Sequence, residues 1–306
     1  METSRFGVAL SGGPDSVALL LLCAATLRGR VFAATVDHQL RAESADEARW
    51  CSGLCRGLGV PHSTLVPEQP ITGNLQSQAR KTRYTLLHEW AANENIDWIL
   101  SAHHADDQAE TLMMRLNRGA GISGLAGVRA RNGRILRPLL QWRRTELGEL
   151  VAANGIAAIQ DPSNQNRAFD RVRMRQALAE ADWIDPLALS RSASNLADAE
   201  AALLWMMHDL TAQYVQLDPA QQHVQISAPL DQLPYELSRR LMAHAIALLD
   251  PELTPRGEAM DHIVAQMVAR KKTMIGNYLI APQREKEQVG WTIRRAPPRS
   301  QAGDEA

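Results

Sequence analysis

Four short apolar runs, RFGVAL (5–10), VFAATV (31–36), HSTLV (62–66) and DWILSA (97–102), alternate with helical patterns through the first 118 residues. The spacing predicts helices over 16–28, 44–58, 75–95 and 105–118. The second opens on a capping-box pattern, Ser44 with Glu47, in which each side chain serves a free backbone N–H. Continuous apolar strands separated by helices predict an α/β fold, a parallel sheet covered on both faces. With 306 residues, 45 % of them hydrophobic, there is room for about two domains.

Beyond about residue 190 the pattern changes. Residues 193–216, 235–249 and 257–270 read as helices, with Pro251 and Pro255 between the last two. Residues 273–296 alternate like a small antiparallel hairpin, and the tail from about 296 reads as frayed. A domain boundary is expected near 185–190. The run VALLLLCAATL (17–27) is too short to span a bilayer and lacks a basic leader, so a cytoplasmic protein is expected. Cys23, Cys51 and Cys55 form no CxxC pair and read as buried thiols in a reducing compartment.

SGGPDS (11–16) follows the first strand and opens a helix, at the carboxyl edge where open parallel sheets bind ligands. Free N–H groups and the positive end of the helix dipole favour phosphate there. Gly12 and Gly13 allow close approach, Pro14 lies in the same loop, and Ser11 and Ser16 add hydroxyls. No lysine follows in the Walker A position. Asp15 would repel phosphate unless the two share Mg²⁺; the alternative is a plain helix cap, which requires none of these neighbours.

SAHHADDQAET (101–111) follows the fourth strand and points to the same edge. His103 and Asp107 are four apart, Asp106 and Glu110 four, Asp107 and Glu110 three, so they share adjacent helical turns. Carboxylates suit a helix start for electrostatic reasons alone. Two histidines, two aspartates and a glutamate so close together suit metal binding, amine binding or proton transfer. In NLQSQARKTRY (74–84), Arg80 and Arg83 share a helical face; in VDHQLR (36–41), Asp37, His38 and Arg41 lie at a strand end. For each alone, a surface or packing role is the simpler reading.

Taken in order, SGGPDS, VDHQLR with ESADEA, NLQSQARKTRY, HHADDQAETLMMRLNRGAGISGLAG, RPLL and DPSN resemble the PP-loop ATP pyrophosphatase superfamily and, within it, the tRNA(Ile)-lysidine synthetase family, in its short form. The resemblance covers residues 6 to about 180 and continues more weakly through KKTMIGNYLIAPQRE (271–285). It implies a PP-loop ATP-binding catalytic domain of the adenine nucleotide alpha hydrolase-like kind over 1–188. A smaller, mainly helical tRNA-recognition domain with a terminal hairpin would occupy 189–306. It implies ATP-dependent adenylation of the wobble cytidine C2 oxygen in a CAU-anticodon isoleucine tRNA, then attack by the amine of L-lysine, releasing AMP. Asp15 would hold Mg²⁺ through phosphate, Arg83 would stabilise charge at the α-phosphate or on neighbouring carboxylates, Asp107 and Glu110 would bind the lysine ammonium and help the attacking amine lose its proton, and His103 would orient Asp107 or the nucleotide. Asp37 and His38 would belong to the ATP site. The short members also imply a possible homodimer.

Residues 111–145 hold eight arginines, Arg115 and Arg118 among them, and no acid; a second group comprises Arg167, Arg171, Arg173 and Arg175, and a third Arg270, Lys271 and Lys272. Such stretches supply phosphate contacts for tRNA, and the glycines of 118–127 read as a flexible loop beside it. Aromatic residues are only 5 %, so base stacking on a sheet is not the expected mode. One departure stands out: Val172 occupies the position where the family places asparagine. The competing readings are a PP-loop tRNA thiolase, which the cysteine pattern disfavours, and a non-catalytic RNA-binding paralogue.

Overall fold

A computed structural model describes residues 3–40, 43–69, 75–160, 169–220, 222–230, 232–255, 257–285 and 288–297. Arg41, Asn74, the DPSN segment (161–164), Arg167 and the tail from 298 lie outside the described residues. The chain divides into two units, Met1–Ala199 and Glu200–Ala306.

The first unit runs β1 (Phe6–Ala9), α1 (Pro14–Thr26), β2 (Val31–Val36), α2 (Ser44–Gly57), β3 (His62–Leu65), α3 (Leu75–Asn93), β4 (Trp98–Leu100) and α4 (Ala105–Leu116). Then come α5 (Ile122–Leu125), β5 (Arg131–Asn132), β6 (Ile135–Leu136), α6 (Arg144–Ala153) and α7 (Asp170–Glu180). The sheet order is β3-β2-β1-β4-β6-β5. Phe6 of β1 pairs in parallel with Val31 on one side and Trp98 on the other. The chain therefore reverses its direction of strand addition between β1 and β4, which opens a crevice at their carboxyl ends. Only β5 runs antiparallel, as a short hairpin with β6. One core packs Val17, Leu19 and Leu20 of α1, Cys51 and Cys55 of α2 and Leu147 of α6 with β1 and β2; a second packs Leu87, Trp90 and Ala91 of α3 with Ile99 and Ala34. Both faces are thus covered, as the apolar runs require. The cap of α2 falls on Glu43, one residue before the expected Ser44.

α8 (Pro186–Tyr214) runs through the boundary between the units. The second unit continues with β7 (Val215–Asp218), β8 (His223–Ile226), α9 (Tyr235–Leu249), α10 (Glu258–Val268), β9 (Thr273–Ile275), β10 (Tyr278–Glu285) and β11 (Gln288–Arg295). Its strands form one antiparallel sheet, β7-β8-β11-β10-β9. The expected hairpin is β10 and β11, but it is part of five strands. Val215 and Gln216, read as helix in sequence, belong to β7, where Gln216 faces Gln225 of β8. Val224, Ile226, Ile280, Trp291 and Ile293 bury the inner face with Leu241, Met242 and Ile263. Among the described residues no helix is long and apolar enough to cross a membrane.

Candidate active site

The β1–α1 turn is shaped by one glycine. Gly12 has φ +82°, and a Cβ there would lie 2.4 Å from Ile159 Cδ1 and 3.2 Å from Cys51 Sγ. Its carbonyl accepts the Ile159 N–H at 3.0 Å. Gly13 caps α1 and Pro14 takes the first helical position. Ser16 Oγ donates to Gly13 O at 2.9 Å, accepts the Ser11 N–H at 3.2 Å, and lies 3.1 Å from Ser11 Oγ. These bonds fix the turn around the amino end of α1, whose first N–H groups have no partner within the helix.

Asp15 stands in the first turn of α1. Its Oδ2 lies 3.5 Å from Nε2 of His104, which caps α4 across the crevice. The same Nε2 lies 3.5 Å from Asp107 Oδ2, and Nδ1 lies 3.5 Å from Asp106 Oδ2. The His104 side chain is only 2 % exposed. Burial opposes its charge, but Asp106, Asp15 and Asp107 outweigh burial and lift it to about 9. Its neighbour behaves oppositely. His103 Nδ1 is 2.8 Å from Ser101 Oγ, and burial, aided by Arg137, Arg171 and Arg80 against Asp107, holds it down to about 4. At neutral pH the pair is one cation and one neutral imidazole.

Burial opposes ionisation of Asp107, yet His104, Arg171 and His103 hold it below the usual carboxylate range. Arg171 Nη2 donates to Asp107 Oδ1 at 2.6 Å and Arg171 Nε to Glu110 Oε2 at 2.6 Å. Arg175 Nε donates to Glu110 Oε1, also at 2.6 Å. Glu110 is 2 % exposed and held between two guanidinium groups. Asp106 faces the other way: its Oδ2 accepts the Arg144 N–H at 2.8 Å, tying α4 to the start of α6.

Asp15, His103, Asp107 and Arg171 border a cavity of about 1020 Å³. Ser11, Asp15 and Ser16 line one side, His103, Asp107 and Arg171 another, and Arg80, Arg83 and His38 a third. Both ring nitrogens of His38 are buried without a hydrogen-bond partner. Burial and then Arg83 lower its pKa, so it is a neutral, unpaired group in the cavity wall. Among the described residues Arg83 has no carboxylate partner, while Arg80 lies 5.2 Å over the Tyr84 ring.

The sequence-predicted residues thus separate. Ser11, Asp15, Ser16, His38, Arg83, His103 and Asp107 meet at one cavity, with Gly12, Gly13 and Pro14 shaping the turn behind them. Asp37 does not line it; this residue is buried and its Oδ1 accepts the Gln39 N–H at 2.8 Å. Glu110 is reached only through Arg171. Of the arginines expected on RNA, Arg171 and Arg175 point into the acidic cluster. Arg115 donates to the carbonyls of Gly124 and Gly127 at 2.5 and 3.2 Å. Arg118 and Arg173 are exposed and share Asp170. The 118–127 segment, expected to be flexible, contains α5 and is fastened by Arg115 and Gln108. Val172 is buried in α7, inside the turn that presents Arg171 and Arg175. His104 is the residue that sequence reasoning passed over: its capping position, with carboxylates two and three residues on, was the available signal.

Asp15 Oδ1 is buried and has no hydrogen-bond partner, which suits a cation. Among the described residues no group of three His, Cys, Asp or Glu could hold a metal. An ion here would take most of its ligands from phosphate and water, as Mg²⁺ does. The three cysteines are free and buried, and burial pushes Cys23 and Cys55 up to about 12.

Comparison with known proteins follows the same lines. The profile of a family described as a PP-loop domain matches residues 1–182. A tRNA(Ile)-lysidine synthase of Zymomonas mobilis is 36 % identical, the match covering 98 % of this chain and 91 % of the relative. That of Novosphingobium aromaticivorans is 42 % identical over 83 % and 79 % of the two chains, and that of Ruegeria pomeroyi 41 % over 91 % and 69 %. Among solved structures, the U34-tRNA thiolase NcsA of Methanococcus maripaludis, with its 4Fe–4S cluster, superposes with a TM-score of 0.53 at 17 % identity, covering 63 % of this chain and 70 % of that one. That likeness concerns the fold.

Proposed function

Because this chain belongs to the PP-loop family of tRNA(Ile)-lysidine synthases, we propose that the cavity at its β1/β4 crevice carries out the two steps of lysidine formation. The enzyme is an ATP-dependent ligase acting on the isoleucine tRNA with a CAU anticodon. The observation that carries this reading is the meeting of Asp15, from the phosphate-binding turn, and Asp107, from α4, at one buried imidazole.

ATP sits with its phosphates at the amino end of α1, held by N–H groups and by Ser11 and Ser16. Mg²⁺ bound with it would be held by Asp15 and would neutralise the departing pyrophosphate. Arg83, without a carboxylate partner among the described residues, faces the α-phosphate as the cytidine C2 oxygen attacks and pyrophosphate leaves. His38 supplies the cavity wall with a neutral hydrogen-bonding group. L-lysine then brings an ammonium to Asp107. A carboxylate held this low anchors an ammonium better than it accepts its proton. Once the ammonium has given a proton to solvent, the free amine attacks C2; the C–N bond forms, the C2–O bond to AMP breaks, and the second proton lost from nitrogen also passes to solvent. His103, neutral at pH 7, stands beside Asp107 to orient it or the nucleotide. Glu110 acts from behind, by fixing Arg171.

The exposed Arg118 and Arg173, with residues 189–306 as a recognition domain, receive the tRNA. The protein works in the cytoplasm, and association into a homodimer belongs to the same reading; sedimentation of the purified protein measures the latter. The reaction is tested by incorporation of radiolabelled lysine into a CAU-anticodon isoleucine tRNA transcript with ATP and Mg²⁺, against the methionine tRNA. Labelling of the first alone is the expected result. ATP–pyrophosphate exchange with RNA but no labelling would assign a different nucleophile, and neither signal would favour the RNA-binding paralogue.

A further inference from the structure

The carboxylates of Asp15 and Asp107 arise from opposite sides of the crevice, one after β1 and one after β4. Between them lies the ring of His104, whose Nε2 is 3.5 Å from one oxygen of each. It takes Oδ2 of Asp15 and leaves Oδ1 buried without a partner. It takes Oδ2 of Asp107, whose Oδ2 also accepts the His104 N–H at 3.2 Å, and leaves Oδ1 to Arg171 at the cavity. On the far side of the ring Asp106 Oδ2, held by the start of α6, lies 3.5 Å from Nδ1, which has no hydrogen-bond partner among the described residues.

We propose that His104 is a positioning residue shared by both half-reactions: by standing 3.5 Å from one oxygen of Asp15 and one of Asp107 it sets the orientation of both carboxylates, the first toward the nucleotide-bound cation and the second toward the lysine ammonium. The inference rests on the function proposed above. His104 touches neither substrate. It acts through two aspartates, which is a stronger statement than a cap for α4 requires.

A helix cap and a shared brace differ in their couplings. Binding of MgATP is measured by calorimetry, and the KM for L-lysine by labelling, for the wild type, His104→Leu and His104→Gln. Each His104 variant is also made with Asp15→Asn and with Asp107→Asn. The expected result is a loss of roughly tenfold or more in both MgATP affinity and lysine KM for His104→Leu, about the size that removal of a charged hydrogen-bonding partner produces. Gln, which keeps a donor near the Nε2 position, restores most of it. In the Asp15→Asn background His104→Leu no longer changes MgATP binding, and in the Asp107→Asn background it no longer changes lysine KM. Losses that add in full, or a lowered melting temperature with both ligand constants unchanged, would overturn the proposal. If the Leu variant does not fold, His104→Asn, which keeps a cap for α4 but is too short to reach Asp15, runs the same cycles and is read the same way. A folded wild type that neither binds MgATP nor labels tRNA would instead remove the functional reading on which the proposal stands.

Discussion

Two buried acid–base clusters in this protein are built from similar parts and end differently. In the second unit Arg240 grips Glu200 with both terminal nitrogens, at 3.0 and 2.6 Å, and gives its Nε to Glu236 at 2.7 Å. Glu200 is 3 % exposed, comparable to Glu110 at 2 %. That network is closed, because both oxygens of its buried carboxylate are taken. The network around His104 is open: Asp15 Oδ1 has no partner, and Asp107 and Arg171 border a cavity. Burial of charge alone therefore does not mark a site. The mark is a charged cluster that reaches the wall of a cavity, as Asp15, Asp107 and Arg171 do.

The comparison can be broken in several places. Asp107→Asn should lower lysine incorporation by roughly 10²–10³-fold, about what loss of one partner of a buried charge pair produces, while the protein stays folded. Full activity would show that the open cluster is as inert as the closed one. Arg240→Met should do the reverse. It strands the buried Glu200 and costs about 3–5 kcal/mol of stability by urea unfolding, with the MgATP affinity of the folded fraction unchanged. A loss of MgATP affinity there would erase the distinction.

A third test uses pH. The pKa of His104 is raised in the fold to about 9. Its contribution is therefore complete below its ordinary 6.5 and is lost as pH rises through 9. Hydrogen exchange at α4 amides should show a fall on the order of 3 kcal/mol across that window in the wild type and little fall in His104→Gln. Amides of α9, beside the closed cluster, should not follow; parallel curves in the two regions would contradict the assignment. The smallest effect belongs to the surface. Arg118→Ala removes an exposed pair with Asp170 and should leave stability within about 1 kcal/mol. It should also flatten the salt dependence of tRNA binding by about one unit of slope, and an unchanged slope would take Arg118 off the RNA surface.

The parallel sheet was legible because buried strands and helices differ in period, and the apolar runs of β1, β2 and β4 are unbroken. β7 was not. Val215 and Gln216 continue the polar spacing of α8, and only their pairing with β8 makes them extended. In the site, SGGPDS and HHADDQAET announced their chemistry through clustered residue types. The partners of Arg171 and Arg175 were hidden, since they lie more than sixty positions away. A basic run reads as an RNA surface until a fold turns two of its members inward. His104 was hidden for a different reason: its carboxylates come from two turns that meet only across the crevice.

Gln108 is 3 % exposed and bonds both backbone groups of Val128, its Nε2 to the carbonyl at 2.8 Å and its Oε1 to the N–H at 2.6 Å. A Cβ on Gly127, at φ +66°, would lie 2.4 Å from that Oε1. With Arg115 on the Gly124 and Gly127 carbonyls, α4 holds the 118–127 segment at its far end as well as its centre. Freezing a glycine-rich stretch is entropically expensive, on the order of 1–2 kcal/mol per residue. Here that cost falls on folding, so an arriving ligand meets a segment already in shape and keeps more of its contact energy as affinity.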